Sequence, residues 1–270
     1  MIYMLQNPYA NLEKVREKAP LVHHITNWVT ISECASMTRS TGALPVMAHA
    51  IDEVEEMTGL ASALVLNMGT PTRELMEAMT KAGKAANKKK IPVVFDAVGV
   101  GATPYRTDAA KQILKDVNIN ILKGNAGEIG VLAGADAEVR GVESISLEGE
   151  IGGLAQALSE TTGGTVIATG VVDHVVDSGR IFIVKNGHPF MGKVVGTGCM
   201  AASVIAAFAS VETDTPQASA NALSCYGVAA EVAAEMLTSV GPMNFKANLF
   251  DAMSGLNRQQ VSRRYRIELI

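Results

Sequence analysis

Cysteine is scarce: Cys34, Cys199 and Cys225 are the only three in 270 residues, an odd number with no C-x-x-C pair. That scarcity excludes a disulfide framework and a structural zinc site, and it points to a reducing compartment, the cytoplasm. Charge of one sign is also lacking. A net charge of −4 leaves no basic footprint, and lysine clusters such as Lys88, Lys89 and Lys90 read as a solvated helix end, so nucleic acid is not an expected partner. Long hydrophobic runs are absent as well. The opening MIYMLQNPYANLEKVREKAP turns charged too early for a secretory leader. The most extended weakly polar stretch, ASANALSCYGVAAEVAAEML, is rich in alanine and serine and carries Glu231 and Glu235. It reads as a tightly packed helix in water, with no membrane involved. The hydrolase patterns G-x-S-x-G and H-E-x-x-H are missing, and so is a Walker A sequence.

What is present is a globular composition, with 48% apolar and 19% charged residues, enough to bury one large core. A single domain over residues 1–270 is expected. Short apolar runs recur at LVHHI, LPVMA, ALVLN, PVVFD, NINILK and TVIAT, most of them separated by segments of helical length and period. This alternation predicts an α/β fold with a mostly parallel sheet and helices on both faces. Several runs end in polar or glycine-rich turns: ITN (Ile25 to Asn27), NMGTP (Asn67 to Pro71), DAVGVGATP (Asp96 to Pro104), KGNAGE (Lys123 to Glu128) and ATG (Ala168 to Gly170). Such turns mark the carboxyl ends of strands, where open α/β sheets bind ligands. From Val171 to Val195 the alternation breaks, and VVDHVVDSGRIFIVKNG predicts a hairpin at one edge of the sheet. Three helices are then expected to close the chain, at about Cys199 to Val211, Pro216 to Leu237 and Asn244 to Val261.

The loop GTGC, Gly196 to Cys199, stands where an apolar helical segment begins. Its glycines and free backbone N–H groups suit an anion at a helix N-terminus, and a plain tight turn with Cys199 as a small apolar residue suits the same letters equally well. The pattern also satisfies G-x-G-x-x-A through Ala201, but it lies too late in the chain, after a hairpin, for a dinucleotide fingerprint. Asp96 ends an apolar strand at the ligand edge and could serve a metal or cap a turn. Glu128 follows Asn125 in the N-x-x-E spacing of a capping arrangement. His23 and His24, with no carboxylate or third histidine at ligand spacing, read as packing residues. Met47, at the end of LPVMA, reads by itself as core.

Taken together, the ordered motifs ITN, LPVMA, NMGT, FDAVGVGAT, NILKGNAGE, VIATGxVD, NGHP and GTGC closely resemble the hydroxyethylthiazole kinases, the thiamine-salvage branch of the ribokinase-like kinases. The resemblance covers nearly the whole chain from about Leu21. It implies a ribokinase-like three-layer sandwich without a lid domain, and transfer of the γ-phosphoryl group of ATP to the alcohol of 4-methyl-5-(2-hydroxyethyl)thiazole with magnesium required. By the same resemblance Asn27, Met47 and Gly196 line the thiazole pocket, and Lys123, Thr169 and Gly198 meet ATP. Asp96 and Glu128 match the acidic residues that organise magnesium, and a homotrimer with active sites between subunits is implied. Two positions depart from the family pattern. Lys123 stands where arginine is frequent, keeping the charge but losing the planar fork that grips phosphate; Trp28 follows ITN where a smaller aromatic is usual.

Phosphoryl transfer passes through a loose transition state, so the implied catalysis is positioning and charge neutralisation. In the wider ribokinase-like group the fourth residue of the glycine loop is commonly an aspartate that accepts the substrate proton, and Cys199 occupies that place. A thiol at a helix N-terminus is more acidic than a free one, so Cys199 is expected to act as a modest proton acceptor and not as a nucleophile. ITN and NMGTP favour the thiazole enzyme over a hydroxymethylpyrimidine kinase, and Cys199 argues against the related NAD(P)H-hydrate dehydratases. A non-catalytic binding protein on this scaffold is disfavoured by the joint presence of Asp96, Glu128 and GTGC.

Overall fold

A computed structural model describes residues 7–134, 148–237, 239 and 241–270. Five apolar runs become parallel strands because each is buried on both faces, which removes any need for polar alternation. They are β1 (Leu21–Ile25), β3 (Ala63–Asn67), β4 (Val93–Asp96), β5 (Ile121–Asn125) and β6 (Thr165–Thr169), and β2 (Leu44–Val46) adds a short parallel edge. The antiparallel strands β7 (Asp173–Val176), β8 (Ile181–Val184) and β9 (Ile267–Leu269) complete one sheet in the order β2-β1-β3-β4-β5-β6-β7-β8-β9.

Helices cover both faces of this sheet. On one lie α1 (Tyr9–Lys18), α2 (Ile31–Thr41), α8 (Thr197–Ala209), α9 (Thr215–Glu235), α10 (Pro242–Gly255) and α11 (Arg258–Arg264). On the other lie α3 (Val54–Leu60), α4 (Arg73–Lys89), α5 (Pro104–Asp116), α6 (Ala126–Leu132) and α7 (Glu148–Thr162). Alternation along each strand divides the core accordingly. In β3, Ala63 and Val65 join the α8 side while Leu64 and Leu66 join the α4 side.

Two expectations need correction. The hairpin β7–β8 is not at the edge, because β9 pairs with β8 through Phe182, Ile183 and Val184. The helix expected from Asn244 to Val261 is broken at Leu256 and Asn257. There Asn257 and Gln260 form a reciprocal capping box, side chain to backbone in both directions, which starts α11 as a separate helix. The chain therefore closes on a strand and not on a helix.

His23 and His24 are both fully buried, on opposite faces of β1. His24 bonds Thr38 of α2 and burial pushes its pKa down to about 3; His23 bonds Thr58 of α3 and the Ala48 carbonyl. Both are neutral packing residues, and among the described residues no cluster of three metal-ligating side chains occurs.

Candidate active site

Register brings the site together. Asn67 pairs with Asp96 across β3 and β4, and Asp96 with Lys123 across β4 and β5. By alternation with Val65, Val94 and Ile121, all three side chains rise from the α8 face at the carboxyl ends of their strands. Lys123 donates to Asp96 Oδ1 at 2.9 Å, and Asn67 Nδ2 donates to Asp96 Oδ2 at 2.7 Å. Burial works against the Lys123 ammonium, but the neighbouring Asp96 carboxylate outweighs it and holds its pKa above the ordinary value.

From Asn67 the network runs on to the thiol. Asn67 Oδ1 accepts from Asn27 Nδ2 at 2.8 Å, and Asn27 Nδ2 also reaches Cys199 Sγ at 3.5 Å. The amide of Asn27 can face only one way. Its oxygen already accepts from the backbone N–H groups of Val29 and Thr30 and from the Thr30 hydroxyl, so its N–H groups must point at Asn67 and Cys199. Cys199 Sγ is therefore the acceptor. Its fellow thiols are unlike it: Cys34 and Cys225 are buried, and burial pushes the Cys34 pKa up to about 12.

Gly196 begins α8 with φ +96°, a left-handed conformation that only glycine adopts at little cost. A Cβ there would also stand 2.7 Å from Thr30 Cγ2. The first N–H groups of α8 have no partner within the helix and open toward the space above Gly198. The Lys123 ammonium lies just beneath, 3.8 Å from where a Gly198 Cβ would be. On the α9 side, the buried Tyr226 hydroxyl donates to the Thr197 carbonyl and holds this turn down.

Beside the loop opens a cleft of about 630 Å³ whose walls include Thr169, Gly170, His188, Pro189, Gly198 and Leu223. Two of the three residues expected at ATP, Thr169 and Gly198, thus line it, while Lys123 is sealed below in its ion pair. The far wall is built by a close approach: Gly227 of α9 lies against Asn186, where a Cβ would be 2.6 Å from that residue's backbone. Asn186 is held by Ser224 and Glu231 of α9 and by the Arg264 carbonyl and Arg266 N–H leading into β9.

Asp173 also borders the cleft, and burial raises its pKa to about 6, against the Gly170 N–H that it accepts. A carboxyl with a raised native pKa contributes stability below its unfolded value near 4, and that contribution is lost as pH rises through about 6. Asp173→Asn keeps an acceptor for Gly170 and removes the charge. The variant is expected to melt about 2–4 °C higher than the parent at pH 8 and no higher at pH 4, as followed by thermal unfolding at both pH values.

Glu128 takes the capping role that its N-x-x-E spacing allowed. Its Oε2 and the Asn125 side chain form the capping box of α6, while its Oε1 accepts from Gly99 N–H at 2.7 Å and so fastens the DAVGVGATP turn. Burial raises its pKa, with those two N–H groups opposing. Asp96 and Glu128 feel each other's charge, and each keeps lone pairs beyond its present partners. Two carboxylates with lone pairs to spare suit a hard cation such as magnesium, which takes one or two protein oxygens and completes its shell with other oxygen ligands.

Met47 leaves β2 as that strand ends and joins the other residues through His49, whose ring bonds both the Met47 carbonyl and Thr26. Sequence reasoning missed two residues. Asn67 closes the all-apolar run ALVLN with a polar side chain, as Asp96 does one strand over. Arg106 donates to the carbonyls of Met68, Gly69 and Val98 and locks two of the ligand-edge turns together. Its position inside α5 offers no local signal for that role.

Known proteins resemble this chain along nearly its whole length. The Hydroxyethylthiazole kinase family model matches residues 12–259. The hydroxyethylthiazole kinase of Methanosarcina mazei is 50% identical over 264 residues, covering 98% of this chain and 99% of its own. A solved structure of hydroxyethylthiazole kinase from Pyrococcus horikoshii OT3 superposes with a TM-score of 0.89 at 38% identity, covering 97% of this chain and 98% of that one. A ribokinase-like superfamily protein from Enterococcus faecalis, at 13% identity, shares the fold with a TM-score of 0.62 over 94% of this chain and 90% of its own. With its motifs in order and this match along nearly its full length, the chain belongs to the hydroxyethylthiazole kinase family.

Proposed function

We propose that this chain phosphorylates the hydroxyethyl group of 4-methyl-5-(2-hydroxyethyl)thiazole, as its family name implies, with ATP as donor. The observation that carries the reading is the position of Cys199. It stands at the start of α8 with an Asn27 N–H donated to its sulfur, between the ITN turn on one side and the Gly198 cleft on the other. The cleft takes ATP, with Thr169 and Gly198 against it, and the α8 N-terminus faces the phosphate being transferred. Asn27, Met47 and Gly196 form the acceptor side. The alcohol oxygen attacks the γ-phosphorus as the bond to the β-phosphate oxygen breaks, ADP leaves, and the hydroxyl proton passes to Cys199 in its thiolate form, giving the thiol. The Asn27 N–H supports the sulfur as acceptor.

Magnesium, when held by Asp96 and Glu128, supplies charge neutralisation across the phosphates. Lys123 and Asn67 keep Asp96 oriented for that role. A homotrimer with its sites between subunits belongs to the same reading and is supported by the exposed apolar rim of Trp28, Val29 and Val195 beside the acceptor side. A trimer mass by native mass spectrometry is expected. No helix among the described residues is long and apolar enough to cross a membrane, and a cytoplasmic setting is part of the proposal.

The test is ATP-dependent phosphorylation of hydroxyethylthiazole, hydroxymethylpyrimidine and a simple sugar, with and without magnesium, the product identified by mass. Thiazole phosphate formed only with magnesium is the expected result; phosphorylated pyrimidine in its place overturns the acceptor assignment. In the same assay Cys199→Asp is expected to keep or raise turnover and Cys199→Ala to retain measurable activity, because the step asks for a proton acceptor and not a nucleophile. An inactive Asp variant that still binds thiazole removes Cys199 from this role.

A further inference from the structure

The acceptor side is made of two turns from different strands, Thr26–Asn27 after β1 and Met47–Ala48 after β2. Between the two short parallel strands the sheet pairing ends at His23 and Val46, so it does not hold the turns themselves. The tie is a side chain. His49 Nδ1 lies 3.1 Å from the Met47 carbonyl, and His49 Nε2 lies 3.2 Å from both the N–H and the C=O of Thr26.

The tautomer with hydrogen on Nδ1 satisfies two of these contacts, Nδ1 donating to the Met47 carbonyl and Nε2 accepting from the Thr26 N–H, whereas the one with hydrogen on Nε2 serves only the Thr26 carbonyl. That N–H has a defined need, since Thr26 is buried and its amide stands at the last position before the functional Asn27. Over the same imidazole lies Trp28, with ring centroids 4.8 Å apart and planes 32° from parallel, while the residue remains 58% exposed. His23 meets the carbonyl of Ala48 at 2.8 Å, so two successive carbonyls of the turn are held.

We propose that His49 is the positioning residue of the acceptor pocket. Its ring latches the Met47 turn to the Thr26–Asn27 turn under Trp28, and it thereby sets the affinity for a small heteroaromatic alcohol. The proposal rests on the reading of Asn27 and Met47 as acceptor-side residues. It divides the two substrates. The hydrogen bonds of Asp96 and Lys123 do not reach His49, and His49 does not line the Gly198 cleft, so donor binding should not depend on it.

The test separates the bonds from the ring. His49→Phe keeps an aromatic plane for Trp28 and deletes both hydrogen bonds; His49→Gln places one acceptor and one donor where the two nitrogens stood and deletes the ring. His49→Phe is expected to raise KM for hydroxyethylthiazole about fivefold, as loss of one to two net hydrogen bonds implies. In the same variant the KM for ATP stays within about twofold of the parent. His49→Gln is expected to restore the thiazole KM to within about twofold. His49→Ala makes the same deletion in less volume and stands in if the phenylalanine variant does not fold. A thiazole KM unchanged in the folded Phe or Ala variant overturns the latch, as does a parallel rise in both KM values, which marks a purely structural role. Failure of the unmodified protein to phosphorylate thiazole at all is a different outcome. It defeats the acceptor assignment and, with it, the basis of the latch.

Discussion

Asp96→Asn will reduce phosphoryl transfer by about two to three orders of magnitude, the range seen when one preorganised charge contact in a reaction site is removed. The same change will weaken the fold. Asp96 now receives two buried donors, the Lys123 ammonium and the Asn67 amide, one on each oxygen. Asparagine offers one oxygen and one NH2, so whichever way it turns, one of those donors faces a donor. The Lys123 ammonium is left as a buried charge without its counter-ion, at a cost of about 3–5 kcal/mol. Denaturant titration measures that cost and single-turnover kinetics measures the chemical loss. Their separation comes from a second variant. Combining Asp96→Asn with Lys123→Met removes the unpaired cation and replaces it by an apolar chain of similar length, and exchanging a buried ion pair for neutral groups is commonly close to neutral in stability. The double variant is expected to regain most of its folding stability and to stay as slow as Asp96→Asn. Recovery of turnover along with stability shows instead that Asp96 serves the fold alone.

The second large effect lies across the molecule, on the donor side. At Gly227 even one methyl group has no room: its carbon would stand 2.6 Å from the carbonyl carbon, carbonyl oxygen and Cβ of Asn186. Helix α9 cannot retreat, because residues on all its sides are buried. The strand-to-turn segment at Asn186 must move, and that segment is a wall of the cleft. Overpacking of this kind costs about 1–3 kcal/mol. Gly227→Ala is therefore expected to raise KM for ATP by about tenfold or more while the thiazole KM holds. Calorimetric titration with a non-hydrolysable ATP analogue gives the same comparison without turnover. Unchanged nucleotide affinity in a folded Gly227→Ala protein removes the Asn186 segment from the donor site.

Much of this architecture could be read from the sequence because its strands are buried on both faces. Runs such as ALVLN and TVIAT carry no polar alternation to confuse them, and their turns fell at the carboxyl ends of the strands. β9 escaped notice for the opposite reason: only Ile267 of its three residues is buried, and so short an edge strand has almost no hydrophobic pattern. The break between α10 and α11 was hidden because Asn257 and Gln260 look like ordinary polar residues on a helix until their reciprocal bonds are seen. In the site, Asp96 and Glu128 stood out as carboxylates in glycine-rich turns. Asn67 did not, although its place at the end of an apolar strand was the available signal. Arg106 and His49 act through backbone carbonyls and amides of distant turns, contacts that no local spacing encodes.

The pairing of β9 onto β8 carries a lesson about inheritance and design. Arg266 and Arg264, more than seventy positions downstream, present an N–H and a carbonyl to the two ends of the Asn186 amide, and the Arg266 guanidinium also reaches the Lys185 carbonyl. None of these downstream groups borders the cleft, yet they hold the segment that does. With the cleft read as the proposed nucleotide site, a library that randomises only residues 259–270 becomes a library of nucleotide affinities, and selection for tighter ATP use can act on residues that do not line the cleft.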